Sequence, residues 1–317
     1  MKRVAVIDCG TNTFNLRIVD FSKSLGPGKW KNIFSLRLPV KLGKGGVGKG
    51  IILKERITRG LDAIGVMKEA ILNYGAEDVS IFATSALRDA SNSQVFVDAV
   101  RKLHGYEVNI ISGAAEAAFI QNGLELTYSP PERENVLTMD IGGGSTECIL
   151  WNSEEIIWSR SFNIGVARMG NLFKYKDRFG ADADEAYQAM LPYLDDALEP
   201  LKVALENTSP SILIGSSGSF DTFCSITNPN ITDTPADEHP PADSIEISGF
   251  IQLCSVLMQN SLRDRLAMKG MPPDRADNIP YAAAITRWVM SNCEFTSMFR
   301  SHYALREGLL NKMSCLD

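Results

Sequence analysis

The stretch that most constrains this chain is Val136–Glu147, VLTMDIGGGSTE, in which an apolar run ends on a lone acid, then three glycines, then Ser145, Thr146 and Glu147. A short apolar run bounded by a turn signal reads as a buried strand. Gly142, Gly143 and Gly144 tolerate positive φ, which lets successive backbone N–H groups face one concavity suited to a phosphate. Asp140 and Glu147, at either end of the turn, are hard oxygen donors suited to a cation that phosphate oxygens complete.

A glycine turn alone usually marks only a tight bend; its weight here comes from a second copy near the start of the chain. VAVIDCGTNTFNLRIVD, Val4–Asp20, has the same order: an apolar strand, Asp8, then Gly10 followed by the donors Thr11, Asn12 and Thr13. A strand-like run follows each turn, Phe14–Val19 in the first copy and Cys148–Trp151 in the second. Two such units predict a duplicated α/β architecture with two loops serving one ligand. A third strand-to-glycine turn, ILIGSSGSF, offers Ser217 and Gly218 as further phosphate contacts.

A chain of 317 residues carries a prior of two domains. The proline-bearing stretch Tyr128–Glu134 reads as a linker and puts the boundary near residue 125, giving domains over 1–124 and 125–300, with a C-terminal helix about 301–317 returning to the first. The net charge of −6 argues against general nucleic-acid binding. No apolar run approaches the ~20 residues a bilayer span needs, and a strand follows Met1-Lys2-Arg3 without a signal-peptide pattern. The six cysteines are scattered with no C-x-x-C pairing, so a disulfide framework or zinc site is not expected and a reducing cytoplasm is.

Helical spacing predicts a helix over Lys54–Tyr74 with Gly75 as its C-cap. Strands are expected over 29–40 (after a turn at 25–28), 79–83, 108–111, 155–162 and 212–214, and a helix over 94–104. Thr84, Ser85 and Arg88 sit where a strand meets a helix start, a place suited to anions. Ser112 is a good N-cap, and Glu116 lies in the first turns of the helix it opens; the residues alone leave it between helix-end electrostatics and catalysis, the former the commoner case. GKGGVGKG, 43–50, mimics nucleotide motifs but lacks the hydroxyl after its lysine and a helix inside the motif, so it reads as a flexible basic loop. It lies in a run of cations from Arg37 to Arg59 opposed only by Glu55. Residues 183–207 read as a long helix that Pro192 and Pro200 bend or break, 225–244 as an exposed loop, and His104, His239 and His302 as structural or surface residues.

With these turns in hand, the chain resembles the Ppx/GppA family of exopolyphosphatases and guanosine pentaphosphate phosphohydrolases, within the actin-like phosphotransferase superfamily. The resemblance rests on DCGTNTFNLRIVD, ATSALRDASN, ISGAAEA, DIGGGSTE, GSSGS, RADNI and ALREGL, which occur in the family's order. It implies two ribonuclease-H-like domains facing each other across a phosphate-binding cleft. It also implies a metal-dependent phosphohydrolase acting on the terminal phosphate of polyphosphate or the 5′-γ phosphate of guanosine pentaphosphate, a substrate of the stringent response. By the same resemblance Glu116 matches the catalytic glutamate, with Ala115 where a second Glu is common. Asp140, Glu147 and Asp8 match the metal-side acids, Arg88 and Arg275 match residues that contact or frame the phosphate chain, and Mg²⁺ or Mn²⁺ is the expected metal with K⁺ as a stimulating ion. A homodimer is common among relatives, whereas the helical metal-phosphohydrolase-like part of longer ones is not expected, since no His-Asp dipeptide occurs. The alternatives are a kinase or ATPase on the same fold, which needs an adenosine pocket, and a non-catalytic sensor of an alarmone or polyphosphate.

Overall fold

The computed structural model describes residues 2–21, 29–175, 179–227 and 242–314. The turn expected at 25–28, His239 and most of the loop expected at 225–244 lie outside them. The chain divides into two compact units, one running to Leu126 and resuming at Tyr303, the other running from Thr127 to His302 apart from the segment outside the described residues.

The first unit opens with a meander, β1 (Lys2–Cys9), β2 (Phe14–Phe21) and β3 (Lys31–Leu38). The helix α1 (Lys54–Tyr74) then crosses to β4 (Asp78–Ala83), which runs parallel to β1. The short α2 (Ser85–Arg88) and α3 (Ser93–His104) lead to β5 (Val108–Ile110), parallel to β4, so the sheet order is β3-β2-β1-β4-β5. Ile64, Met67 and Ile71 form the buried stripe of α1, and Gly75 ends the helix in the left-handed region at φ 67. That stripe joins a core with Ala5, Ile7, Leu16, Ile18 and Phe96.

After β5, Ser112 caps α4 (Gly113–Leu124) by accepting the Ala115 amide at 3.2 Å, as its residue type predicts. The last helix, α12 (Leu305–Ser314), packs on α4 at backbone contact. A Cβ on Gly308 would fall on the Phe119 carbonyl, and one on Gly123 on the Ala304 carbonyl, so only glycine permits this crossing.

The second unit repeats the scheme. β6 (Val136–Ile141), β7 (Thr146–Trp151) and β8 (Ile156–Phe162) form the meander, and α5 (Val166–Leu172) follows. The stretch expected as one long helix is broken at Leu198 into α6 (Ala183–Ala197) and α7 (Glu199–Thr208). Pro200 stands in the first turn of α7, where its missing N–H costs nothing, while Pro192 is accommodated inside α6. β9 (Ile212–Ser216) runs parallel to β6. After α8 (Ser217–Thr227) come β10 (Asp243–Ile245), α9 (Ile247–Gln259), α10 (Leu262–Ala267), α11 (Ile279–Asn292) and β11 (Ser297–Arg300). The sheet order is β10-β11-β9-β6-β7-β8, the first unit's order with one further edge strand.

Both sheets thus pair a meander with parallel crossovers, the α/β architecture the sequence predicts. Two expectations need correction. Residues 225–244 are not all loop, because Ser225–Thr227 close α8 and Asp243–Ile245 form β10. The basic segment 43–50 is not a loose loop: Val47–Lys49 form a turn of 3₁₀ helix, and the segment is hydrogen-bonded at both ends, because its glycines let it lie directly on the first turn.

Candidate active site

The two glycine turns are built alike. Gly10 N–H donates to the Thr13 carbonyl at 3.1 Å, and Gly142 N–H donates to the Ser145 carbonyl at 3.0 Å. In each hairpin the acid that ends the first strand stands opposite one residue of the second, Asp8 opposite Asn15 and Asp140 opposite Glu147. Directly opposed residues of an antiparallel pair project on one face with Cβ atoms about 5 Å apart. Both acids sit near the carboxyl ends of their strands, where open α/β sheets bind ligands.

The pairs differ in charge. Asn15 Nδ2 donates to Asp8 Oδ2 at 3.3 Å, so this hairpin opposes one acid to a neutral amide. Asp140 and Glu147 are two carboxylates, buried to 6% and 2% exposure. Ser161 donates to Glu147 Oε1 at 2.7 Å, and Ser217 donates to Asp140 Oδ2 at 2.6 Å. Burial nevertheless lifts the Asp140 carboxyl to about 6, helped by Asp221 and opposed by the Ser217 and Ser216 hydroxyls and by Arg275. The Ser216 hydroxyl forms no hydrogen bond of good geometry, so Ser217 makes the effective contact. Adjacent buried carboxylates fit a hard divalent cation, which commonly takes one or two carboxylates and completes its shell with phosphate oxygens and water. Among the described residues, no group of three or more His, Cys, Asp or Glu side chains that could hold a metal ion is found.

In Gly142–Ser145 the reason for glycine differs from the sequence reading. None of Gly142, Gly143 and Gly144 is among the described residues with positive φ. The close approach is made at Gly165: a Cβ there would come within 2.6 Å of Gly143 C and Gly144 N, so α5 begins directly against the loop. The N–H groups of Val166, Ala167 and Arg168 donate to the carbonyls of Gly142 and Gly143 at 3.0, 2.7 and 3.2 Å, and Arg168 Nε donates to the Gly144 carbonyl at 2.9 Å. In a trans peptide the next residue's N–H points opposite to the carbonyl. The amides of Gly143, Gly144 and Ser145 are thereby turned away from α5, leaving three successive donors on the other side of the loop. The Thr146 side chain does not join them, because its hydroxyl is buried and donates to the Ile164 carbonyl.

The third turn joins this group. Ser217 takes positive φ at 65°, and the Arg275 guanidinium lies so close over Gly218 that any Cβ there would collide with it. Fully buried Arg265 donates to the carbonyls of Ala276 at 2.7 Å and Leu257 at 3.2 Å, anchoring the segment that carries Arg275.

In the first unit, Thr11 and Ser85 share a buried hydroxyl–hydroxyl bond of 2.9 Å, tying the first glycine turn to α2. Lys41 N–H donates to the Asn12 carbonyl at 2.7 Å, and Gly43 N–H donates to the Thr11 carbonyl at 3.0 Å. Glu116 is buried, and Arg88 Nη1 donates to its Oε2 at 2.6 Å. Arg88, expected to contact phosphate, is thus engaged with the candidate base.

Comparison with known proteins now bears on this arrangement. The model of the Ppx/GppA phosphatase family matches residues 23–315. The chain belongs to the Ppx/GppA phosphatase family. The crystal structure of an exopolyphosphatase from Cytophaga hutchinsonii is similar at a TM-score of 0.90 and 34% identity, covering 99% of this chain and 98% of that one. Exopolyphosphatase 1 of Mycobacterium tuberculosis is 27% identical over 97% of this chain and 87% of its own length. The guanosine-5′-triphosphate,3′-diphosphate pyrophosphatase of Photobacterium profundum is 26% identical over 98% of this chain, which spans 59% of that relative.

Several residues of this Ppx/GppA site escaped the sequence reading. Arg168 lies outside every motif the sequence offers, and the close approach of Gly165 to the loop exists only in the fold. Asn15 and Ser161 were invisible without strand register. Arg265 had no local signal at all.

Proposed function

We propose that the protein hydrolyses a terminal phosphoanhydride, releasing orthophosphate from the end of inorganic polyphosphate or from the 5′ end of guanosine pentaphosphate. The observation that carries this reading is the capture of the Gly142, Gly143 and Gly144 carbonyls by α5, which presents three successive amides to an anion. The names of the related exopolyphosphatases and guanosine pyrophosphatase support it.

In the proposed reaction the amides of Gly143, Gly144 and Ser145, with Arg275, hold the oxygens of the terminal phosphoryl group. Glu116, held as an acceptor by Arg88, orients a water molecule and takes its proton as the water oxygen bonds to phosphorus. The bridging P–O bond breaks and the shortened phosphate chain leaves with the electron pair. Asp140 and Glu147 are the residues that would hold Mg²⁺ or Mn²⁺, whose chemistry when bound is to neutralise charge on phosphate oxygens. Most of the rate then comes from positioning and electrostatics, since phosphoryl transfer asks little covalent chemistry of the protein.

The deciding experiment is orthophosphate release by the purified protein with Mg²⁺, on long-chain polyphosphate and on guanosine pentaphosphate, with Glu116→Gln alongside. Release from either substrate, reduced on the order of 10²–10⁴ in the variant, is expected. Tight binding of either compound without release would instead mark a sensor.

A further inference from the structure

We propose that Arg168 is a positioning residue that sets the phosphate-holding face of the Gly142–Ser145 loop, an inference that rests on the loop binding phosphate as proposed above. Four donors from α5 hold the carbonyls of Gly142, Gly143 and Gly144, and Arg168 supplies two of them: its own N–H to Gly143 and its Nε to Gly144. The Gly144 contact is the only one of the four made by a side chain. It fixes the Gly144–Ser145 peptide, whose other end is the Ser145 N–H turned toward the anion.

Charge makes this contact more than a tether. A guanidinium donating to a carbonyl forms a charge-assisted bond, and hydrogen bonds in series polarise one another. The Ser145 N–H therefore becomes a stronger donor while Arg168 stays on the carbonyl side of the loop, away from the ligand. Backbone contact between Gly165 and Gly143–Gly144 leaves the loop little slack, so the peptide orientation depends on what bonds its carbonyls. Arg168 is separated in sequence from the motif it would tune, and it acts through the loop rather than on the substrate.

The test is calorimetric binding of imidodiphosphate, a phosphate mimic with a non-hydrolysable P–N–P bridge, in the presence of Mg²⁺. Wild type, Arg168→Met and Arg168→Gln are compared, with the melting temperature of each. Losing a charge-assisted bond to the peptide should weaken binding roughly tenfold in the Met variant, and by less in the Gln variant, which keeps a neutral donor. The KM for the hydrolysed substrate should rise by a similar factor in protein that remains folded at the assay temperature. A purely structural role predicts a lower melting temperature with unchanged affinity in the folded fraction, and that result overturns the proposal. Should the Met variant not fold, wild-type affinity in the Gln variant overturns it equally. If wild-type protein binds no imidodiphosphate, the phosphate-binding reading of the loop fails and takes this inference with it. Wild-type binding that neither variant changes removes only the role of Arg168.

Discussion

Arg88 Nη1 lies 2.6 Å from Glu116 Oε2, and the two side chains come from different elements, the four-residue helix after β4 and the first turns of α4. Two segments distant in sequence therefore fix one carboxylate. Replacing Arg88 by Met removes this charge-assisted contact from the buried carboxylate. Because a misplacement of about 1 Å can cost on the order of 100-fold in rate, Arg88→Met should lower kcat at least tenfold, with Arg88→Lys intermediate. Steady-state kinetics at saturating Mg²⁺ and substrate checks this.

The charge difference between the two hairpins predicts where a metal acts. Asp140 stands beside Glu147, whereas Asp8 stands beside an amide. Asp140→Asn should therefore raise the Mg²⁺ concentration for half-maximal phosphate release by at least about tenfold, and Asp8→Asn should raise it less. Chelation should stop release and added Mg²⁺ restore it. An unchanged Mg²⁺ dependence in Asp140→Asn would remove this carboxylate from the metal assignment.

The α4–α12 crossing carries a stability prediction that extends to activity. A Cβ on Gly308 overlaps the Phe119 carbonyl, and the helix it would displace bears Glu116. Gly308→Ala should destabilise the protein by about 1–3 kcal/mol, the usual cost of overpacking, and should lower kcat more than it raises KM. Thermal melting and kinetics on the same preparation separate the two effects.

Acid stability should depend on Glu307. Its carboxylate is 1% exposed and lies 3.2 Å from Arg17 Nη1. Burial pushes its pKa up, but Arg306, Arg17 and the Ala304 amide outweigh burial and hold it below the usual range. A depressed carboxyl stabilises the fold above its unfolded pKa, and the contribution is lost as pH falls through the folded value. Glu307→Gln, which takes the charge partner from half-buried Arg17, should cost about 1–3 kcal/mol at neutral pH. The gap between variant and wild type should close on acidification, as followed by denaturant titration across pH.

Lys44 and Lys49 are exposed on the segment tethered to the first glycine turn, in a chain of net charge −6. Lys44→Glu with Lys49→Glu should raise the KM for long-chain polyphosphate about fivefold at low ionic strength and leave tripolyphosphate within about twofold. That difference should vanish near 1 M salt, where the Debye length falls to about 3 Å.

Much of this was legible in the chain itself. Strand, acid, glycine turn and strand lie contiguously in each unit, so the hairpins and the opposition of Asp140 to Glu147 follow from local register across a short turn. Helix α1 and its Gly75 cap were equally local. The clasp of α5 on the glycine loop was not, because its backbone donors and the Nε of Arg168 have no sequence pattern until the chain folds back. Strands β10 and β11 are too short, at three and four residues, to show a period. The proline-bearing stretch 128–134 reads as a linker, yet Tyr128 packs against Trp151 and Phe299.

The sequence by itself determined the duplicated strand-and-turn units, the acids that end their strands and the helix carrying Glu116, because each depends on residues within a turn or two of one another. Tertiary structure decided what those groups face. It set Arg88 on Glu116, turned the Gly143–Ser145 amides outward through α5, brought Arg275 over Gly218 and gave Asp140 a hydroxyl partner in Ser217. Orientation of a peptide plane and burial of a carboxylate are set by atoms that meet only after the sheets form, and local residue pattern carries no record of them.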